Sequence, residues 1–281
     1  MKHSFYTVNH VQLNVWEAGN PADPAILFLH GFPEFGKGWH RQLQYFSTRG
    51  WHAVAPDQRG YHLSSKPTEA GAYTTDLLTK DIADLIPQIS RGTVVLVGHD
   101  WGGAVAWNLA LTHPHLLEKL VVLNMPHPQT MHHHLTHNPQ QMLRSWYTGF
   151  FQLTWLPEQV NRAFDFKFLE SALTGTALPG TFPPEVLQEY KQAWAQPGAI
   201  EAMLNWYRAY KHNPMQANHT ITTPTLLLWG KKDKFLGTEM AQPSMAHCQN
   251  GQLVFLENAT HWLHHEQPEQ VSQLITAFIR H

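Results

Sequence analysis

Only one cysteine, Cys248, occurs in the 281 residues. That excludes an intramolecular disulfide and a thiolate metal cluster, and makes a reducing cytoplasm the expected compartment. Charge is also scarce, at 14% of residues against the ~25% usual for soluble domains. It nearly cancels, 19 Lys and Arg against 21 Asp and Glu giving −2, so the standing basic field of a nucleic-acid binder is missing at neutral pH. No apolar run approaches the ~18 residues that suggest a membrane span. The opening decapeptide has no apolar core either, so no secretory signal is expected. Histidine, by contrast, is abundant: protonating all 21 would carry the formal charge from −2 to +19, so mildly acidic pH changes the electrostatics. A composition 43% hydrophobic and 12% aromatic is too apolar for a disordered chain.

Length alone suggests two domains, or one α/β unit carrying an insertion. Phe5 to Val8 and Val11 to Trp16 read as a hairpin about Asn9-His10. Short continuous apolar runs follow at Ala25 to Leu29, His52 to Ala55, Thr93 to Val97 and Lys119 to Leu123, then at Thr225 to Trp229 and Gln252 to Leu256. Continuous apolarity is expected of strands buried on both faces of a parallel sheet. Leu77, Leu78, Ile82, Leu85, Ile86 and Ile89 form one helical face, which Pro87 should kink or end. Val271, Leu274, Ile275, Phe278 and Ile279 repeat the pattern after Pro268. The fold class is therefore α/β, a doubly wound, mostly parallel sheet. The alternation stops between about Met125 and His219, where aromatic helical faces and prolines replace it. Residues 125–219 read as an inserted helical cap, and 1–124 with 220–281 as the two parts of the core.

The strongest local signal is a strand, Thr93 to Val97, running into Gly98-His99-Asp100-Trp101-Gly102 and an Ala-rich helix. This is the nucleophile-elbow pattern with Asp100 where an esterase has serine. A carboxylate can displace a leaving group from an sp3 carbon and form an alkyl ester; the bland alternative is that Asp100 caps the helix. Asp233 and His261 follow at the ends of later strand runs, in the order nucleophile, acid, histidine. His264 and His265 compete with His261 but read as surface residues. The backbone N–H groups of Phe32 and Trp101 would form an oxyanion hole, and a cis Phe32–Pro33 bond suits the tight turn. His30 and His99 read as hydrogen-bonded scaffold. His132-His133-His134 with His137 could suggest a metal site, but adjacent side chains diverge and no carboxylate or cysteine spacing completes one.

Taken together these residues resemble the α/β-hydrolase-fold epoxide hydrolases of the bacterial, single-chain form, over nearly the whole chain. His30 to Glu34 match the family's HGFPE loop, Asp57 to Tyr61 its DQRGY turn, and Gly98 to Gly103 its GHDWGG elbow. Asn124 to Pro128 look like the segment opening the cap. Two cap motifs are more discriminating: Tyr147-x-x-x-Phe151-Gln152 and Asn205-Trp206-Tyr207-Arg208. The resemblance implies that Tyr147 and Tyr207 hold the epoxide oxygen, while His261, oriented by Asp233, activates water. It also implies a substrate pocket including Pro33, Phe151 and Trp206, and neither cofactor nor metal. The partners expected are an epoxide and water, with no nucleic acid, and with a homodimer left open. His62 stands where glycine or asparagine is frequent, in what reads as a surface turn. Thr260 stands where glycine precedes the histidine, although a β-branched residue resists positive φ.

Two other readings compete. Haloalkane dehalogenation uses the same aspartyl ester, but Phe32 lacks the side-chain N–H that commonly holds halide, and the tyrosines would have no duty. A non-catalytic ligand-binding protein would not need the intact triad. On the enzymatic reading, activity and solubility are expected to change together below about pH 6.5, where free histidines protonate.

Overall fold

The computed structural model describes residues 1–210 and 220–280. Its sheet has eight strands: β1 (Lys2–Val8), β2 (Val11–Ala18), β3 (Ala25–Leu29), β4 (His52–Pro56), β5 (Val94–His99), β6 (Leu117–Leu123), β7 (Thr225–Gly230) and β8 (Gly251–Leu256). Their order is β1-β2-β4-β3-β5-β6-β7-β8. Only the β1–β2 and β2–β4 pairings are antiparallel; every pairing from β4–β3 to β7–β8 is parallel. The hairpin closes through Asn9 and His10, both at positive φ, as a two-residue turn matched to strand twist requires.

Every residue of β3, β4, β5 and β7 is buried. The strand period of two divides them between two cores. Ile26, Phe28, Val95 and Val97 pack with Leu43, Phe46, Val271 and Ile275 on one face. Leu27, Leu29, Val94 and Leu96 pack with Ile82, Leu85, Val105 and Leu109 on the other. The helices supplying these residues before the cap are α1 (His40–Ser47), α2 (Thr75–Ile89) and α3 (Trp101–Thr112). Pro87 sits in the last turn of α2, which ends two residues later, as its missing N–H demands.

Between β6 and β7 lie α4 (Pro128–His137), α5 (Pro139–Arg144), α6 (Trp146–Phe150), α7 (Leu156–Thr174), α8 (Pro184–Trp194) and α9 (Ala199–Ala209), the helical stretch that the sequence reads as a cap. Left-handed backbone at residues 164–166 breaks α7 in two. Among the described residues the insertion contains no strand, while the expected boundary at His219 lies outside them. The core closes with α10 (Ala241–Met245), α11 (Leu263–Glu266) and α12 (Pro268–Ile279). No helix among the described residues is long and apolar enough to cross a membrane.

Indole N–H groups tie the cap down over the carboxyl ends of the strands. Trp194 Nε1 donates to the Pro33 carbonyl at 2.6 Å, and Trp206 Nε1 to the Arg59 carbonyl at 2.9 Å. Arg59 is itself fixed by two bonds to Asp81, at 2.7 and 2.6 Å, so the anchor is rigid.

Candidate active site

Between β5 and α3 a single residue, Asp100, adopts φ +50° and ψ −122°. A non-glycine residue held there is strained, and the sharp turn lifts its side chain off the sheet end. Its carboxylate makes no capping bond to α3, which removes the bland reading of this residue. Two glycines allow the close approach. A Cβ on Gly102 would lie 2.3 Å from the Leu29 carbonyl oxygen, and one on Gly31 2.4 Å from Asp100 Cβ. The Phe32–Pro33 bond is cis, and the Phe32 N–H donates to Asp100 Oδ1 at 3.0 Å. Burial pushes the Asp100 carboxyl up, but His261, His99 and the Phe32 N–H together hold it below its usual range. It is an ionised carboxylate at neutral pH, with most of its surface withdrawn from water.

His261 lies between two carboxylates. Nδ1 is 2.8 Å from Asp233 Oδ2, and Nε2 is 3.6 Å from Asp100 Oδ2. Asp233 cannot swing away, because Oδ1 accepts the N–H groups of Phe235 and Leu236 at 2.7 and 3.0 Å. Its Oδ2 accepts Asn124 Nδ2 at 2.5 Å. Asn124, at φ +42° at the end of β6, also accepts the Gly230 N–H through Oδ1 at 2.8 Å. Sequence reading placed Asn124 only in the cap-opening segment; an asparagine just past a buried strand, facing another strand end, was the available signal.

Burial lowers the basicity of His261, yet Asp233 and Asp100 outweigh it and push the imidazole up to about 10. The free protein therefore carries an imidazolium at neutral pH. Its ionic contribution to stability is complete below the free-imidazole value of about 6.5. That contribution is lost progressively as pH rises from there through about 10. The melting temperature is expected to fall more steeply from pH 6.5 to 10 in the wild type than in His261→Gln. Parallel curves for the two proteins in thermal melts would show that the charge is not there.

Other histidines are placed differently from the sequence reading. His264 and His265 are not surface residues: His264 is fully buried, and the side chain of His265 is only 8% exposed. They surround the buried Glu34 with His99. Glu34 Oε1 is 2.5 Å from His265 Nε2 and accepts the Tyr190 hydroxyl at 2.9 Å, while Oε2 is 3.2 Å from His99 Nδ1. Burial opposes ionisation of Glu34, but the surrounding imidazoles hold its carboxyl well below the usual range. A buried carboxylate needs such partners, and β5, α8 and α11 must come together to supply them. Burial keeps His264 neutral. The ligand atoms of Glu34, His99 and His264 lie within 4.8 Å of one another, the spacing of a metal grouping among the described residues. Glu34 already has partners on both oxygens, so the cluster is an internal polar network. His99 Nε2 lies 2.8 Å from the His261 carbonyl oxygen, and His30 accepts the Gln58 N–H at 3.0 Å, both scaffold roles.

His62 is likewise no plain surface-turn residue. At φ +42° and half-buried, it sets Nδ1 2.8 Å from Asp57 Oδ2 and stacks on Trp16. Thr260 does not have the positive φ that would make its β-branch costly. Its N–H and hydroxyl both donate to Glu266, at 2.7 and 2.6 Å, bracing the loop that carries His261. His132 and His133 are exposed on α4, where His133 stacks on His137.

Above Asp100 the cap supplies two phenols. Tyr147, on α6, and Tyr207, on α9, have ring centroids 6.0 Å apart at 79°. Tyr207 meets Trp101, Phe32 and Phe151 edge-on within 5.0–5.2 Å, so its ring cannot drift. Burial, followed by nearby negative groups, pushes both phenols above their ordinary value. Both are O–H donors at neutral pH. Two cavities, of about 410 and 220 Å³, open on either side, and the residues common to their linings are Asp100, Tyr147 and Tyr207. The larger includes Phe32, Pro33, Phe151 and His261, and the smaller Trp101 and Met131. Trp206 lines neither of these two cavities. Its N–H is spent on Arg59, and it backs Trp101 at 5.7 Å.

The sequence pattern of the family described as alpha/beta hydrolase fold matches residues 24–268. The AB hydrolase superfamily protein YfhM of Bacillus subtilis is 42% identical over 281 residues, covering 100% of this chain and 98% of that protein. Human epoxide hydrolase 4 is 39% identical over 270 residues, covering 94% of this chain and 74% of that protein. Among solved structures, an epoxide hydrolase of Bacillus megaterium in complex with an inhibitor superposes with a TM-score of 0.91. It is 29% identical, with 99% of this chain and 100% of that one covered.

Proposed function

The chain belongs to the epoxide hydrolases of the α/β-hydrolase fold family, and from that premise we propose that it opens a lipophilic epoxide through a covalent ester on Asp100. The observation that carries this reading is the shared boundary of the two cavities. A nucleophilic carboxylate on one side and two protonated phenols on the other enclose a space where an oxirane can sit.

In the first stage Asp100 attacks an oxirane carbon, and the carbon–oxygen bond breaks. The departing oxygen takes a phenolic proton from Tyr147 or Tyr207, leaving a hydroxyalkyl ester and a tyrosinate. Esterification removes the negative charge on Asp100, which is one of the groups raising the basicity of His261. The imidazole then gives up its proton, which restores the phenol, and becomes a base. In the second stage neutral His261, held by Asp233, takes a proton from water as the water oxygen attacks the ester carbonyl. The Phe32 and Trp101 N–H groups stabilise the resulting oxyanion; on collapse the departing alkoxide takes one of the two water protons and leaves as a vicinal diol, while the other stays on His261 and Asp100 returns as a carboxylate. Charge on Asp100 thus suppresses the base while the nucleophile is needed and releases it when the ester has formed.

Oxygen bookkeeping tests the covalent step. In a single turnover in heavy-oxygen water, the first diol should be unlabelled, because its new oxygen comes from Asp100. Label should then appear in later diols. Heavy oxygen in the first diol would mean direct attack by water and would overturn the ester mechanism.

A further inference from the structure

Four histidines, His132, His133, His134 and His137, lie on α4 away from the chemistry at Asp100. Adjacent side chains on a helix diverge, but residues four apart share one face. His133 and His137 are the pair at that spacing. Both are exposed, and their rings stack with centroids 4.7 Å apart and 14° between planes. They lie at the carboxyl end of α4, where the helix dipole favours positive charge.

Hydrogen bonds decide which ring nitrogens are available. His137 Nδ1 lies 3.2 Å from the His133 carbonyl oxygen and 2.7 Å from Thr136 Oγ1. A carbonyl only accepts, and the Thr136 hydroxyl already donates to the His132 carbonyl at 2.9 Å. The neutral ring of His137 therefore holds its proton on Nδ1 and keeps the lone pair on Nε2. Metal-binding imidazoles are oriented in the same way, by a bond from the nitrogen that does not bind. Among the described residues the His133 ring has no hydrogen-bond partner, so its nitrogens are free. The neighbours in the run are placed otherwise. His134 Nδ1 accepts from Asn138 Nδ2 at 3.0 Å, and that amide also reaches Glu239 Oε1 at 3.1 Å. His132 has Pro128 and Thr136 at the matching positions, and so no partner ring.

We propose that His133 and His137 form a chelating site for a divalent ion that prefers imidazole, Zn2+ being the representative, and that the bound ion clamps the last turn of α4. Two imidazoles supply half of a tetrahedral zinc sphere, and water fills the rest. The opposite face of α4 carries Met131 and Leu135 into the lining of the smaller cavity, so the clamp bears on a helix that walls it. The site is independent of the chemistry assigned to Asp100.

Calorimetric titration of the tag-free protein with Zn2+ provides the test. His133→Ala and His137→Ala should each weaken the tightest site about a hundredfold, because the second imidazole no longer binds intramolecularly. His132→Ala and His134→Ala should leave it unchanged, since neither ring faces the pair. Circular dichroism of each variant checks that it is folded. Zn2+ should also slow amide hydrogen exchange in the last turn of α4 in the wild type and not in His137→Ala. Three outcomes overturn the site. One is a wild type that takes up no Zn2+. Another is binding that survives His133→Ala, which would mean an adventitious ion on scattered histidines only. The third is a loss in His134→Ala equal to that in His133→Ala, which would mean a loose cluster in place of a pair. Unchanged exchange in α4 with Zn2+ bound to the pair overturns the clamp.

Discussion

Replacing Tyr147 and Tyr207 together by phenylalanine is expected to slow ester formation by about four orders of magnitude, with the fold intact. Opening an oxirane places negative charge on oxygen, and Tyr147 and Tyr207 share the lining of both cavities with Asp100. Removing one preorganised donor to a developing oxyanion typically costs about 10²–10³ in rate. Either single substitution should therefore lose about a hundredfold, since the remaining phenol still donates. The double change leaves the alkoxide with neither stabilisation nor a proton. Both rings pack by their faces and edges, so phenylalanine preserves the shape of the cavity. Single-turnover measurements with an aryl epoxide would report the step directly, beside circular dichroism as the check on folding. A double variant retaining full activity would take the tyrosines out of the mechanism.

His261→Gln should separate the two stages. Attack by the Asp100 carboxylate itself needs no base, and the Phe32 N–H still donates to it in this variant. Hydrolysis of the ester does need one, and loss of a positioned general base typically costs about 10²–10⁴ in rate. The variant is expected to consume about one equivalent of epoxide and stop. Intact-mass spectrometry should find the protein heavier by the mass of the substrate, and proteolysis should place the adduct on Asp100. Asp233→Asn should accumulate the same ester more slowly, as the imidazole loses the carboxylate 2.8 Å from Nδ1. Steady turnover by His261→Gln, with no mass increase, would remove this histidine from the second stage.

Much of the site is legible in the chain because its chemistry is local. A strand followed by a glycine-flanked acid specifies the elbow, and strand ends position Asp233 and His261 wherever a parallel sheet forms. The continuous apolar runs correspond to β3 through β8 within a few residues, and in β3, β4, β5 and β7 burial on both faces removes the polar alternation. The cap tyrosines are visible through their motif neighbours, and the structure brings both to the boundary of the cavities.

What escaped the sequence depends on partners far along the chain. His264 reads as surface from its neighbours, yet Glu34, some 230 positions earlier, lies 3.3 Å from its Nε2. Asn124 acquires its role only when β6 and β7 lie side by side and Asp233 closes above them. The sequence by itself determined the sheet, the turn that carries Asp100 and the strand ends that carry Asp233 and His261, because side-chain pattern and backbone turn chemistry are encoded within short stretches. Only the tertiary structure decided which histidines are charged and which are neutral. Protonation and pairing are set by burial and by charges across space, and neither is written in the order of the residues.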